Sequence, residues 1–249
     1  MARWLAAGYL KELTPEEAAD VRCVVGAFVT HSAGKPCLVV DYRHPNAFME
    51  RRRFKYETLW KLAPGLRSGD HMVSWDVKDA YHHLRLREAD QTYLAFTLFG
   101  RVFVPVSMPF GLAVAPYTWT KVCRPVVGRL REMGFVFKAY VDDFGGRPPV
   151  RDTGQPATKA DARRGWRTAA DLMASLGLTV HLHKVEREKT MEQPLLGHVV
   201  DTRLGVFWLQ PQRVMKIETM AAALLRYAAK HRRWMPLGTL RSLCGTAIS

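Results

Sequence analysis

The chain has 249 residues, 48% of them hydrophobic and 24% charged, a composition typical of a globular protein with a sizeable core and not of a disordered or fibrous one. Its 37 Lys and Arg residues against 23 Asp and Glu residues give a formal net charge of +14, which favours a polyanionic partner such as nucleic acid. There is no apolar run of transmembrane length and no recognisable secretory signal, so we expect an intracellular protein, cytoplasmic or nuclear, without membrane contact.

The N-terminal half is predicted to consist mainly of short strands. Thr14, followed by Pro15 and acidic residues, is typical of a helix N-terminus, so a short helix is predicted to begin there. Runs of β-branched and aromatic residues predict strands at 24–29, 37–40, 92–97 and 102–106. Phe99 and Gly100 lie between the last two of these strands and predict a hairpin.

The C-terminal half contains the longer predicted helices. One begins at Ala115 and Pro116 and ends at Gly134, and a second covers about 159–176. Further strands are predicted at 135–141, 178–182 and 195–200. From Pro211 onward a basic amphipathic helix is predicted, because apolar residues recur at helical spacing among seven Lys or Arg residues and one acid. This order of elements predicts an α+β fold, with an antiparallel sheet covered by helices on one face.

Two adjacent aspartates are the most informative feature of the sequence. The strand predicted at 135–141 runs into Asp142 and Asp143, and Phe144 with the glycines after it predicts a return strand. Carboxylates held so close repel each other unless a cation lies between them, and Mg²⁺ prefers such oxygen ligands together with substrate phosphates. A simple turn explains the two aspartates as well, since Asp favours turns through local hydrogen bonds.

A second apolar run that ends in acids favours the metal site over the simple turn. Residues 72–81 form a predicted strand that delivers Asp76. Two strands that each place a carboxylate at one end of a sheet can bind a pair of metal ions about 3.5–4 Å apart. Such a pair acts on the attacking and leaving oxygens of an in-line displacement, so phosphoryl transfer is the predicted chemistry.

The cysteines and histidines form no recognisable metal-binding pattern. The four cysteines are widely scattered, which argues against a disulfide framework or a zinc site and favours reduced thiols. Four histidines occur as close pairs at His82 and His83 and at His181 and His183. We interpret them as histidines on strand faces, because a metal site needs convergent ligands at compatible spacing.

Six sequence blocks, taken together and in this order, resemble a reverse transcriptase of the retroelement branch that includes gypsy-type and DIRS-like elements. The resemblance extends from about Gly26 to Gly245. The blocks are Lys35–Asn46 in the fingers, Asp76–Tyr81, Met108–Pro116, Tyr140–Asp143, Gly177–Lys184 and a primer grip at Leu195–Val200. The resemblance implies a right-hand polymerase fold, with fingers at 1–70, a palm with a ferredoxin-like sheet at 71–210 and the start of a thumb at 211–249.

The resemblance implies a catalytic triad and its cofactor. Asp76, Asp142 and Asp143 would be the metal ligands, and Val77 would offer its backbone carbonyl to the metal. The cofactor would be two Mg²⁺ ions, with Mn²⁺ as a possible substitute. Lys184 would lie near the leaving pyrophosphate as a candidate general acid.

The resemblance also implies contacts to the substrates. Tyr81 would pack beneath the sugar of the incoming nucleotide, where its ring crowds a ribose 2′-hydroxyl. Phe110 and Gly111 would face the nascent base pair, one with an apolar surface and the other through close backbone approach. The other nucleotide-binding residues would be Arg43, Val77, Lys78, Asp79 and Ala80, with Arg43 and Lys78 near the triphosphate. The primer grip would include Leu196, Gly197 and His198.

Three positions depart from patterns found among relatives of this kind. Phe110 stands where retroviral enzymes carry glutamine, and it matches the gypsy-type pattern. Cys37 stands where relatives usually have arginine, which removes one expected contact to the triphosphate. Ala115 replaces a small polar residue.

The function implied is RNA-directed DNA synthesis, in which deoxynucleoside triphosphates are added to the 3′-hydroxyl of a primer. The expected partners are an RNA or DNA template with its primer, and the other domains of a retroelement, such as an RNase H, integrase or recombinase, are expected to be encoded outside this chain. Two alternatives remain open. One is an inactive polymerase-like module that only binds nucleic acid, and the other is an RNA-templated RNA polymerase, against which the bulky Tyr81 argues.

Overall fold

The computed structural model describes residues 1–32, 34–50, 52–150, 154–181, 191–195, 198–231 and 235–248. Its α-helices are α1 (Ala2–Ala6), α2 (Pro15–Ala19), α3 (Arg43–Ala47), α4 (Glu88–Gln91), α5 (Ala115–Glu132), α6 (Lys159–Ser175), α7 (Pro211–Lys230) and α8 (Leu237–Ile248). Its strands are β1 (Leu10–Glu12), β2 (Val24–Ser32), β3 (Lys35–Val40), β4 (Val73–Asp76), β5 (Ala95–Leu98), β6 (Arg101–Pro105), β7 (Val136–Tyr140), β8 (Asp143–Arg147), β9 (Glu192–Leu195), β10 (His198–Asp201) and β11 (Val206–Leu209). Short 3₁₀ turns occur at Leu59–Lys61, Ala63–Gly65 and Ala80–His83.

A three-stranded antiparallel sheet with the order β4-β8-β7 forms the centre of the molecule. Its inner face is aromatic: the ring of Trp75 stacks on Phe137 at 4.7 Å and on Phe144 at 5.9 Å between ring centroids. These rings are almost completely buried. Because apolar burial is the main stabilising term in folding, this aromatic layer fixes the ends of the three strands relative to one another.

A five-stranded sheet with the order β1-β6-β5-β2-β3 is built mainly from the N-terminal half. Most of its neighbouring strands are antiparallel, as expected, whereas β2 and β5 run parallel. Sequence periodicity cannot reveal such a pairing, because it joins strands that are far apart in the chain. The hairpin predicted around Phe99 and Gly100 is confirmed, since β5 and β6 pair on either side of it.

The C-terminal sheet, with the order β11-β10-β9, corrects one prediction. A single strand was predicted at 195–200, but β9 ends at Leu195 and β10 begins at His198, and these two residues are register partners in an antiparallel pair. Two residues, 196–197, connect the strands and lie outside the described part of the chain. The mostly apolar character of 195–200 concealed the break between the two strands.

Leu195 connects the C-terminal sheet to the central one. Its side chain is buried and lies over Gly145 in β8, so close that a Cβ atom at position 145 would collide with it. A larger residue at position 145 would therefore require the Leu195 side chain to shift.

Other predictions are confirmed or corrected at the level of single elements. The helices that were expected to begin at Pro15, Ala115 and Lys159 are present as α2, α5 and α6. The strand predicted at 178–182 is wrong for its described part, where Val180 forms only an isolated bridge with Val77. The basic helix α7 is present. Leu224 is its only described residue that is buried, while Val214 and Leu225 of the predicted apolar face are exposed and the rest of that face is half-buried.

Two further expectations concern thiols and membranes. The four cysteines, all of them within the described residues, form no disulfide. In the described part of the chain, we find no helix with both the length and the apolar character needed to cross a membrane.

Candidate active site

The turn between β7 and β8 carries two of the predicted acids and is held from both sides. Val141 has a left-handed backbone conformation, with φ at +54°, which a β-branched residue rarely adopts. The buried indole of Trp119 in α5 donates a hydrogen bond of 2.6 Å from Nε1 to the carbonyl oxygen of Val141. The backbone N–H of Val77 donates to the carbonyl oxygen of Asp142 at 2.8 Å. The turn is therefore fixed by groups from two other elements.

The three predicted acidic ligands lie at the same end of the central sheet. Asp76 is the last residue of β4, Asp143 is the first residue of β8, and the two are direct register partners. Side chains of directly opposed residues in an antiparallel pair point to the same face, with their Cβ atoms about 4.5–5.5 Å apart. Asp142 immediately precedes Asp143 on the exposed tip of the turn.

This set of donors fits a hard divalent cation that is completed by substrate. Among the described residues, no three His, Cys, Asp or Glu side chains come together closely enough to hold one ion. Mg²⁺ usually takes only one or two carboxylates in proteins and fills its remaining positions with water and substrate phosphates. The facing pair of Asp76 and Asp143, with Asp142 adjacent, meets that requirement.

Glu57 supports the outer edge of the central sheet. One of its carboxylate oxygens accepts a hydrogen bond from the backbone N–H of Ala139 in β7 at 3.2 Å, and the other accepts from the Arg131 guanidinium at 2.5 Å. Burial raises the pKa of Glu57, but the hydrogen bonds from Arg131 and Ala139, together with the charges of Arg131 and Lys138, outweigh that effect and leave the pKa below its ordinary value. A charged carboxylate thus satisfies a backbone N–H of β7 just before the turn that carries Asp142 and Asp143.

Residues 77–81 form a loop that joins Asp76 to Tyr81. The backbone N–H of Lys78 donates to the carbonyl oxygen of Thr179 at 2.8 Å, which ties the loop to the segment after α6. Asp79 has a left-handed conformation with φ at +53°, and its carboxylate is paired with the guanidinium of Arg3. Ala80 and Tyr81 follow in the 3₁₀ turn and are buried. The loop therefore has a defined shape directly behind the acids.

Tyr81 lies between the acids and the 108–116 block. Its ring centroid is 4.8 Å from that of Phe110 and 6.5 Å from that of Trp119. Burial raises the pKa of Tyr81 to about 12, with further increases from Tyr56 and from the charge of Asp142. The phenol therefore stays protonated at working pH, and the ring, not an ionised oxygen, is what this side chain presents.

Phe110 and Gly111 are held near Tyr81 by a residue of α3. The side-chain amide of Asn46 donates to the carbonyl oxygen of Gly111 at 2.8 Å and accepts from the backbone N–H of Ala113 at 2.7 Å. Gly111 has φ at +91°, a conformation that favours glycine. Phe110 remains more than half exposed despite its contact with Tyr81. An exposed apolar ring beside a fixed backbone turn suits contact with a flat ligand.

Arg43 is engaged with a neighbouring acid. Its guanidinium lies 2.6 Å from the carboxylate of Asp41, and 91% of its side chain is exposed. The hydrogen bonds from Arg43 lower the pKa of Asp41 to about 2. The predicted contact of Arg43 with a triphosphate remains a prediction, since in the structure this side chain is turned towards Asp41 and solvent.

The remaining predicted residues lie away from the acidic turn, outside the described part of the chain, or in a different element from the one expected. His198 is the first residue of β10 and pairs with Leu209 of β11. Lys184, Leu196 and Gly197 lie outside the described residues. His82, buried against the rings of Trp4 and Tyr9, and His83 both lie in the 3₁₀ turn, and His181 lies in no strand, so the interpretation as histidines on strand faces is wrong for these three. His183 lies outside the described residues.

Sequence reasoning missed the residues that hold the site together. Trp119, Glu57 and Arg3 contact the acidic turn, its strand or the loop behind it, but each is distant in sequence from the group it binds. The tryptophan lay at a core position of the predicted helix and gave no sign of a polar contact. The available signal for Glu57 was a lone acid within a basic and aromatic stretch.

Comparison with known proteins shows the family. Residues 35–200, more than half of the chain, match the family described as Reverse transcriptase (RNA-dependent DNA polymerase). The chain therefore belongs to the reverse transcriptase family. This match confirms the expected membership of the reverse transcriptase family.

Relatives and solved structures agree with this assignment. The chain is 28% identical over 117 residues to the Transposon Tf2-3 and Tf2-4 polyproteins of Schizosaccharomyces pombe, a stretch that is 47% of this chain and 9% of each polyprotein. The chain thus corresponds to a small part of these curated relatives.

Its fold is similar to that of the foamy viral protease-reverse transcriptase dRH in complex with ds DNA, with a TM-score of 0.72 and 17% identity. That similarity covers 98% of this chain and 38% of the foamy viral chain. It is also similar to the foamy viral protease-reverse transcriptase in complex with RNA/DNA hybrid, with a TM-score of 0.70 and 17% identity. That similarity covers 98% of this chain and 29% of the foamy viral chain. The predicted mixed fold with its antiparallel sheet is confirmed.

We predict that Trp119→Phe weakens the site while keeping the core filled. The variant retains an aromatic ring but leaves the Val141 carbonyl without its donor, which should cost about 1–3 kcal/mol in the free energy of unfolding. Nucleotide incorporation should fall by about tenfold or more, because small misplacements of catalytic groups are costly. Denaturant unfolding and primer extension measure the two effects.

Trp60→Phe is the matched control for this variant. Trp60 is 74% exposed, and its ring centroid lies 5.9 Å from that of Phe207. Its substitution should change neither quantity measurably. Equal effects of the two substitutions would remove the special role of the Trp119 hydrogen bond.

Proposed function

We propose that this chain carries the polymerase domain of a retroelement of the gypsy-type or DIRS-like branch and extends a primer on an RNA template with deoxynucleoside triphosphates. In the reaction the 3′-hydroxyl of the primer attacks the α-phosphate of the nucleotide, and pyrophosphate leaves. One observation carries the proposal: Asp76 opposes Asp143 at the end of the central sheet, next to Asp142 on a turn that two other elements fix.

Asp76, Asp142 and Asp143 would hold the divalent ions, with the backbone carbonyl of Val77 as a further ligand. Bound there, two Mg²⁺ or Mn²⁺ ions would neutralise negative charge on the phosphates and activate the attacking oxygen. The family match supports this cofactor, as does the fit of hard carboxylate donors to hard cations.

The chain's own residues would orient the nucleotide. The ring of Tyr81 packs beneath the sugar, and the exposed face of Phe110, with the backbone of Gly111, meets the nascent base pair. Lys78, and Arg43 once released from Asp41, bind phosphate oxygens as cations, while the Asp79–Ala80 backbone lines the nucleotide site. Lys184 gives a proton to the departing pyrophosphate.

A stripe of aromatic residues beside the catalytic turn supports nucleic-acid binding. Ring centroids are 4.4 Å apart for Tyr140 and Tyr56, 4.8 Å for Tyr56 and Phe54, and 6.1 Å for Phe54 and Tyr117. At the far end, Arg52 and Lys121 lie over the Tyr117 ring at 5.6 Å and 5.5 Å. Aromatic faces next to cations suit sugar–phosphate backbones and bases.

The proposed function implies a division of the chain into the parts of a right-hand polymerase. We assign fingers to 1–70, the palm to 71–210 and the start of a thumb to 211–249, with Leu196, Gly197 and His198 in the primer grip. The net charge of +14 and the exposed basic helix α7 suit a template–primer duplex as partner. The curated relatives are polyproteins, which supports the presence of further domains encoded elsewhere in the element.

We predict that Asp76→Asn or Asp142→Asn lowers nucleotide incorporation by several orders of magnitude while primer–template binding stays nearly unchanged. The amide fills the same space but is a poor ligand for a divalent ion. Extension of a DNA primer on an RNA template, with a parallel binding measurement, tests both statements. Asp171→Asn, on the exposed face of α6, is the control and should keep full activity. A variant of either predicted ligand that retained more than about a tenth of the wild-type rate, about 1.4 kcal/mol in barrier, would remove it from the triad.

We predict that Tyr81→Ala or Tyr81→Val raises the relative efficiency of ribonucleotide incorporation by about tenfold or more. An apolar pocket alone rejects an added hydroxyl only modestly, by about 100-fold, so steric crowding by the buried ring supplies part of the discrimination. Tyr81→Phe should leave the ratio nearly unchanged, because the ring and not the protonated hydroxyl does the blocking. The measurement is kcat/KM for matched ribo- and deoxynucleotides. An unaltered ratio in the small-residue variants would favour the RNA-polymerase alternative.

A further inference from the structure

The first residues of the chain lie directly against the loop behind the acids. Strand β1 is anchored in the five-stranded sheet by its pairing with β6, in which Leu10 opposes Pro105. Just before it, the carbonyl oxygen of Tyr9 accepts a hydrogen bond of 2.9 Å from the backbone N–H of Val106. These contacts fix the position of the residues between α1 and β1.

Arg3 of α1 holds the side chain of Asp79. Its Nη2 lies 2.9 Å and 2.7 Å from the two carboxylate oxygens, and the hydroxyl of Tyr9 donates to the same carboxylate at 3.3 Å. The Asp79 side chain is 20% exposed, whereas that of Arg3 is 64% exposed. A left-handed conformation is unfavourable for a residue with a Cβ atom, and partners outside the loop stabilise it here.

The same N-terminal segment reaches Tyr81 from its other side through aromatic rings. Tyr9 stacks on His82, with centroids 4.3 Å apart and planes inclined by 5°, and Trp4 approaches the same ring at 5.5 Å. His82 in turn lies 5.8 Å from Phe110, which contacts Tyr81. The backbone N–H of His82 also donates to the carbonyl oxygen of Asp79 at 2.8 Å. Tyr81 thus lies in a turn whose two flanks are held by the first nine residues.

We propose that Arg3 is a positioning residue that sets how strictly Tyr81 excludes ribonucleotides. The inference rests on the proposed function of the site. Without Arg3, the Asp79 carboxylate keeps only the longest of these described bonds, the one from the Tyr9 hydroxyl. One of the two supports of the 3₁₀ turn is then weakened, so the Tyr81 ring gains freedom to move away from the sugar. Arg3 binds the carboxylate of Asp79, which is not one of the three predicted metal ligands, so we expect the chemical step to change less than nucleotide selection.

The test compares Arg3→Ala and Arg3→Lys with Lys11→Ala. Lys11 lies in the same segment and forms an exposed ion pair of 2.5 Å with Glu17, so its removal is a matched loss of one surface ion pair away from the loop. For each protein, KM and kcat are measured for matched ribo- and deoxynucleotides on one primer–template, together with the midpoint of thermal unfolding. A double variant, Arg3→Ala with Tyr81→Ala, shows whether the effect of Arg3 passes through Tyr81.

We expect Arg3→Ala to lower the preference for deoxynucleotides by about threefold to fivefold, which corresponds to about 0.7–1 kcal/mol, mainly through KM. Arg3→Lys should retain part of the preference, Lys11→Ala all of it, and the double variant should discriminate no less than Tyr81→Ala alone. An unchanged preference in Arg3→Ala, an equal loss in Lys11→Ala, or additive losses in the double variant would overturn the role of Arg3. Those results leave the polymerase assignment intact, whereas a wild-type protein without deoxynucleotide incorporation would overturn both.

Discussion

The left-handed turn at Val141 is the constraint on which the acidic site depends. A β-branched residue in this conformation carries an energetic cost of about 1–3 kcal/mol, and it persists only where the surrounding structure imposes it. Here the indole of Trp119 and the backbone N–H of Val77 bind the carbonyl oxygens of Val141 and Asp142. Through these two bonds, helix α5 and the segment after β4 determine where the hairpin ends and hence where Asp142 and Asp143 lie.

The remaining structure keeps this turn at a boundary between an apolar interior and a charged surface. Beneath it, the stacked rings of Trp75, Phe137 and Phe144 exclude water from the central sheet. At the outer edge, the Glu57 carboxylate satisfies a strand N–H and pairs with Arg131. Low-dielectric walls focus the field of nearby charges. Acids at the rim of such a sheet attract cations more strongly than acids on an open surface.

Local features of this fold could be predicted from the sequence, because they are encoded by neighbouring residues. The hairpin at Asp142 follows from an aromatic strand followed by glycines, and α2 and α6 follow from Thr14 and Thr158, whose side chains cap them. The family resemblance predicted that the three acids form one site, and the structure shows Asp76 and Asp143 as register partners in neighbouring strands.

Features that join distant segments could not be predicted in this way. The bond from Trp119 to Val141, the ion pair of Arg3 with Asp79 and the parallel pairing of β2 with β5 leave no trace in periodicity or composition. The hairpin after Leu195 was missed for a different reason: six mostly apolar residues resemble one strand, and a single glycine was outweighed by its neighbours.

The most direct test of this account is to locate a bound divalent ion by NMR. Paramagnetic Mn²⁺, added at substoichiometric amounts, broadens the backbone amide signals of residues near its binding site. We expect selective broadening at Asp76, Val77, Asp142 and Asp143, and we expect this broadening to be lost when Asp142→Asn is titrated in the same way. The turn at Val141 would not be the metal site if broadening were centred on surface carboxylates elsewhere, such as Glu132 or Asp171. The absence of any site-specific broadening would lead to the same conclusion.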